Sequence, residues 1–142
     1  MVRALVTIAL VPFLAAAPSA AIAGVQGRPA AALAGTWINP RGSVKVETGD
    51  CAGRLCGWVR WANAEAVQDA RDAGVRALVG TELLEGYKRT SPTSWTGRVF
   101  VPDMGRTFYS RITQLDPNAL RISGCILGGL VCKSQVWHRA RM

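Results

Sequence analysis

A single histidine, His138, sets the first limit on the chemistry open to this chain. Nucleophilic hydrolysis needs a serine or cysteine, a base and an orienting acid. No G-x-S-x-G frames a serine here, and His138 stands beside Trp137 in a stretch of strand pattern. Glu82 and Glu85 come nearest to a glycosidase-like carboxylate pair. Three residues apart on a strand, they would point to opposite faces. Asp103 and Asp116 fall in turn-forming stretches, Pro102-Asp103-Met104-Gly105 and Asp116-Pro117-Asn118. No catalytic residue emerges, and the chain reads as non-enzymatic.

Four cysteines are spaced as Cys51-x4-Cys56 and Cys125-x6-Cys132. Neither spacing is the C-x-x-C of a zinc ribbon or a thioredoxin-like redox site, and one histidine is a poor start for a metal centre, so no metal or cofactor is expected. Three pairings are open to four cysteines. If Gly128-Gly129 is a two-residue type I′ turn, Cys125 faces Cys132 directly. Counting from that turn makes them a hydrogen-bonded pair, whose side chains stand somewhat further apart. The reading adopted is Cys51–Cys56 and Cys125–Cys132, two staples on hairpins, each adding about 2–3 kcal/mol.

Five tryptophans in so short a chain are the candidates for ligand contact. Alternation groups Leu55, Val59 and Trp61 on one face and Cys56, Trp58 and Arg60 on the other. Trp61, Trp95 and Trp137 share faces with aliphatic residues, which suits either a packed core or a ligand lining. Trp58 lies with Cys56 and Arg60 and is the candidate for recognition at the surface. These four are the candidate ligand-binding residues.

The elements that must position them are short strands. Gly35 to Ile38, Ser43 to Thr48, Leu55 to Trp61, Val79 to Lys88, Trp95 to Val101, Arg106 to Leu115, Leu120 to Ile126 and Val131 to Arg139 carry strand pattern between strong turns. Within Val79–Lys88 the alternation is poor, because Glu82 and Glu85 interrupt it. One segment changes period: Asn63 caps a short helix over Asn63–Ala73, and Gly74 ends it. Eight antiparallel strands curl or close, so the fold class is all-β, an antiparallel barrel of about eight strands with one short helix. In such a barrel Trp37, opening the first strand behind Gly35, plugs the narrow end. Arg139, from the last strand, lies over its indole as a cation–π partner.

The address is written at the start. Met1-Val2-Arg3 is basic, Ala4 to Ala17 is apolar, and Ala21-Ile22-Ala23 is a small-x-small site, the three parts of a secretory signal peptide. Residues 1–23 are read as that peptide, 24–34 as a flexible lead-in, and 35–141 as one domain. Cleavage leaves 119 residues with a net charge of +7, since only Arg3 among the charges is lost. The paired cysteines suit the same periplasmic or secreted destination. The basic residues form no run and accompany no nucleic-acid motif, so nucleic acid is not an expected partner.

Several of these motifs recur together in one pattern: Gly35-x-Trp37, Cys51 to Cys56-Gly57, Gly80 before an apolar strand, Trp95-x-Gly97, Gly105-Arg106-x-Phe108-Tyr109, and Gly124-Cys125 through Cys132-x-x-x-x-Trp137-x-Arg139. Over about Ala34 to Arg141 the chain resembles a widespread family of small exported Gram-negative proteins classed as a domain of unknown function. The resemblance implies a lipocalin-like barrel in the periplasm and carries over no activity, substrate or catalytic residue. The chain departs from that family in the Ala-rich Asn63–Ala73 segment, where an Asp and an Asn-Pro are common, and in Gly105-Arg106, where Gly-Lys is usual. Two functions stand open. The first is a barrel binding a small apolar or amphipathic ligand. The second is a filled barrel whose basic exterior, with Arg60, Trp58, Arg98 and Arg111, meets anionic lipid, glycan or a protein. Neither reading makes the chain an integral membrane protein.

Overall fold

The computed structural model describes residues 30–142; the expected signal peptide and most of the lead-in lie outside them. Eight strands run in chain order around a closed barrel: β1 Gly35–Ile38, β2 Val44–Cys51, β3 Arg54–Ala62, β4 Glu82–Ser91, β5 Ser94–Val101, β6 Arg106–Asp116, β7 Ala119–Ile126 and β8 Val131–Arg139. Every neighbouring pair is antiparallel, six of the eight joined by short turns, β3 to β4 through the helical segment, and β1 to β8 by closure. Closure is narrow. β1 meets β8 only through Trp37↔Arg139 and Ile38↔His138, reinforced by the Ala140 amide donating to Thr36 O at 2.8 Å.

The interior holds Trp37, Val46, Leu55, Val59, Leu84, Tyr87, Trp95, Ile112 and Leu120, each at most 1% exposed. Charged residues such as Arg60, Arg98, Arg111 and Arg121 face out. That arrangement is the reverse of an outer-membrane barrel, which turns an apolar band outward. Among the described residues no helix is long and apolar enough to cross a membrane.

The helix, α1 Ala64–Asp72, forms as its caps dictate. Asn63 accepts the Ala66 amide at 2.9 Å, and Gly74, at φ 88°, turns the chain out of it. Ala70 is fully buried, and Val67 and Val75 pack on the core. The β5–β6 turn comes so close that a Cβ on Gly105 would stand 2.7 Å from Ala73 O, so the helix lies over the barrel end where that turn sits.

Three details differ from the sequence expectation. The fourth strand begins at Glu82 rather than Val79, because Gly80 (φ 93°) and Thr81 bond to Val59 as a loop. Leu83 and Leu84 are both buried, and Gly86 takes φ 56°: the register breaks of β4 against β3 and β5 explain its poor alternation. The two-residue turn with both residues at positive φ is Ala52-Gly53 (55° and 79°), which joins β2 to β3. Gly128-Gly129 instead belongs to a four-residue connection, Leu127 to Leu130, between Ile126 and Val131. Because the longer loop shares its centre with the expected turn, Cys125 still faces Cys132. It does so at a Cα separation of 4.0 Å, the close type of pair rather than the wide one.

Candidate functional site

Both expected disulfides are present, Cys51–Cys56 across the Ala52-Gly53 hairpin and Cys125–Cys132 just behind the β7–β8 connection. Among the described residues one cluster of potential metal donors occurs, Cys51, Cys56 and Glu82. Its two sulfurs are bonded to each other and leave no thiolate to bind a metal.

One end of the barrel is plugged as the sequence implies. The Trp37 indole donates to Leu33 O (3.0 Å) and Thr48 Oγ1 (3.1 Å), and the Thr48 hydroxyl donates in turn to Leu33 O. The Arg139 guanidinium carbon lies 4.3 Å from the Trp37 ring centroid, while its nitrogens donate to Ala34 O (2.9 Å) and Pro117 O (3.0 Å). Gly35 is at φ 138°, and a side chain there would strike the Arg139 guanidinium. The Gly-x-Trp pattern thus has a steric cause in a residue a hundred positions away. This end is structural.

The register lays out the inner face in successive rows away from the plug. The first is Gln114–Leu120–Trp137, the second Trp95–Ile112–Ile122–Gln135, the third Gly97–Ser110–Gly124–Lys133 with Tyr87 across from Gly97, and the fourth Val99–Phe108 continuing toward Ile126 and Val131. The first two rows are largely buried. By the fourth, Val99, Phe108 and Ile126 are half-buried and Val131 is 41% exposed. The β5–β6 and β7–β8 connections share this end; α1 covers its β3–β4 side, and the barrel opens on the β7–β8 side, where β1 is too short to cover β8.

Deeper in the barrel, in the second and third rows, three buried polar groups have no hydrogen-bond partner: Tyr87 OH, Trp95 Nε1 and Ser110 Oγ. The Arg89 guanidinium lies over the Trp95 ring, 5.5 Å from its centroid. The Ser110 hydroxyl is near enough to favour the phenolate, though not in hydrogen-bond geometry. Burial outweighs it and pushes the Tyr87 phenol above the ordinary tyrosine range, and the charge of Glu85 adds to the rise. All three groups can donate. Buried polar groups nearly always find a partner, so three orphans in adjacent rows mark a place for one. Gly97 has no room for a side chain, since a Cβ would stand 2.6 Å from the Tyr87 ring. At Gly124 a Cβ would meet nothing closer than 3.5 Å.

The tryptophans divide accordingly. Trp95 and Trp137 are inward and buried, with Trp137 Nε1 donating to Gln135 Oε1 at 3.1 Å. Trp61 is not inward. Val46 pairs with Val59 but Lys45 pairs with Trp61, so Arg60 is the extra residue of a bulge, and Trp61 turns to the outer face. There it is 42% exposed under the Lys45 ammonium, 5.6 Å from the ring centroid. Trp58 is half-buried on the outer face, paired with Glu47 and Glu82, and does not reach the interior either. Arg60 is held by Glu47 at 2.6 Å. His138 is exposed opposite Ala119, and among the described residues it makes no ion pair with an acid.

The outer face of β4 to β7 carries a second feature, a shallow hollow of about 1040 Å³. Arg98 and Arg111 do meet there, since Arg98 pairs with Tyr109 and Thr96 with Arg111. Arg54, Lys88 and Arg121 join them from three other strands. Spread over seventy residues of sequence, these five cations leave no local signal. Tyr87 and Ser110 were likewise missed, one in a strand of irregular register and the other an ordinary serine.

The family model described as "Uncharacterized protein conserved in bacteria (DUF2147)" matches residues 35–139. The chain belongs to this family. No curated protein matches it. A solved structure similar to it is HP1028 from Helicobacter pylori, described as belonging to the lipocalin family. That protein is 15% identical, with a TM-score of 0.56, over 77% of this chain and 83% of that one. At that identity the likeness establishes the lipocalin-like barrel and nothing finer.

Proposed function

We propose that this DUF2147 member is an exported, non-enzymatic protein that binds a small amphipathic molecule in its lipocalin-like barrel. The observation that carries the reading is the set of buried unpartnered donors, Tyr87 OH, Trp95 Nε1 and Ser110 Oγ, beneath a half-exposed apolar row of Val99, Phe108, Ile126 and Val131. A molecule with an acceptor at one end and an apolar body satisfies both: its carbonyl or carboxylate takes the donors, and its body covers the row. Lys133 and Gln135, on the same inner face, favour an anionic headgroup. The leader pattern and the two disulfides support export to the periplasm or beyond.

Native mass spectrometry of the mature protein purified from periplasm, at low and high salt, tests this. A co-purifying small molecule that survives high salt is expected, and it is lost from Tyr87→Phe/Ser110→Ala. The same substitutions remove two unsatisfied groups, so the unliganded barrel should become no less stable. A bare mass at both salt concentrations, with an empty solvent extract, overturns the proposal.

A further inference from the structure

The outer hollow and the β7–β8 connection together carry an inference independent of any interior ligand. The hollow gathers Arg54, Lys88, Arg98, Arg111 and Arg121 against one carboxylate, Glu85, whose nearest approach to Arg98 is 3.7 Å. Tyr109 stands in it 84% exposed. At the end of the same sheet the connection presents Leu127 and Leu130, 70% and 86% exposed, beside Val131. Leu127 is held at φ 53°, and Cys125–Cys132 closes the hairpin one residue behind Ile126. A stapled tip cannot readily fold its leucines back onto the barrel. Arg111 and Ser123 are paired, which puts Arg111 about 13 Å from the tip at the rise of a strand, so one plane can touch both.

We propose that this face docks on an anionic lipid surface, with Leu127 and Leu130 entering the boundary between headgroups and acyl chains while the five cations lie against headgroup phosphates. Each part answers a different layer of that surface. Exposed aliphatic side chains at a hairpin tip gain by leaving water for hydrocarbon. Tyr109, with an apolar ring and a polar end, suits the interface between the two layers. The arginines can rest their stems along the sheet and extend their heads to phosphate, bidentately where geometry allows. A soluble polyanion would use the cations but leave the leucines without a role.

Flotation of the mature protein with vesicles decides it. Binding is expected with mixed phosphatidylglycerol and phosphatidylcholine, and not with phosphatidylcholine alone. Arg98→Gln/Arg111→Gln/Arg121→Gln should weaken it about a hundredfold, from about fivefold for each surface charge. Leu127→Ser/Leu130→Ser should keep binding at low salt and lose the part that survives high salt. Leu130→Trp should blue-shift its emission on the anionic vesicles. All these positions are exposed, and unchanged far-ultraviolet dichroism confirms the fold of each variant. Equal binding to both vesicle types, or none to either, overturns the proposal. So does an unshifted Leu130→Trp emission, or complete displacement by heparin with the leucine pair making no difference, which would identify a soluble polyanion as the ligand.

Discussion

The sharpest quantitative expectation concerns the plug formed by Trp37 and Arg139. Trp37 is 1% exposed and donates from its indole to two acceptors, so Trp37→Ala removes a large buried aromatic and should cost about 3–5 kcal/mol. Arg139 is exposed as a residue, which limits its cation–π contribution to about 1 kcal/mol. Its donors to Ala34 O and Pro117 O add about 1 kcal/mol each, so Arg139→Ala should cost about 2–3 kcal/mol. The double variant isolates the shared part. Its loss should fall short of the two single losses combined by about 1 kcal/mol, the coupling that belongs to the ring and the guanidinium. Arg139→Lys keeps a cation but not the fork, and should lose about 1–2 kcal/mol. Gly35→Ala forces the guanidinium aside and also strains a backbone held at φ 138°, so its cost should shrink once Arg139 is already alanine but not vanish. Urea denaturation followed by far-ultraviolet dichroism is the assay, since tryptophan fluorescence would be altered by the substitution itself. A Trp37→Ala loss below about 1 kcal/mol would refute the plug. A coupling indistinguishable from zero would reduce Arg139 to a hydrogen-bonding strap.

Reduction of the two disulfides should lower the melting temperature while leaving the dichroism of the sheet in place, each closed loop contributing about 2–3 kcal/mol; an unchanged melt would show the sulfurs unbonded in solution. Ala52 occupies φ 55° in a turn that favours glycine or asparagine, so Ala52→Gly should stabilise by about 0.5–1 kcal/mol, read from the urea midpoint. Tyr87 is held protonated by burial: its folded pKa is raised, and its contribution is intact below the unfolded value near 10. Above that pH the unfolded chain releases the proton while the folded one keeps it, so stability should fall by about 1.4 kcal/mol per pH unit, and Tyr87→Phe should abolish that part of the alkaline loss.

The barrel was legible because its signals are local or terminal. Alternation with turn residues gave the strands, Asn63 and Gly74 gave the helix, and Gly35, Trp37 and Arg139 implied closure before any pairing was known. Errors arose where one residue changes phase. The extra residue at Arg60 carries Trp61 from the predicted inner face to the outer one. The register breaks in β4 hid the inward phenol of Tyr87 in what read as a faulty strand. The Cys125–Cys132 pairing survived a wrong turn type only because both turns share a centre, so pairing was legible where loop geometry was not.

Of the two proposed sites the sequence offered only single members, Trp95 for one and Arg98 and Arg111 for the other. Each exists only across strands: Tyr87, Trp95 and Ser110 come from β4, β5 and β6, and the five outer cations from β3 to β7. Neither belongs to the plugged end. There Leu33, Trp37 and Thr48 satisfy one another's polar groups, and Arg139 covers the ring while donating to Ala34 O and Pro117 O. At the other end β1 is too short to follow β8, inner apolar side chains meet solvent, donors lack acceptors, and leucines stand free of the core. A barrel that stabilises itself at one end can tolerate unsatisfied chemistry at the other, because each buried orphan costs about 1–3 kcal/mol, comparable with the contribution of the plug. That asymmetry is why the search for function belongs at the open end and on the basic face beside it.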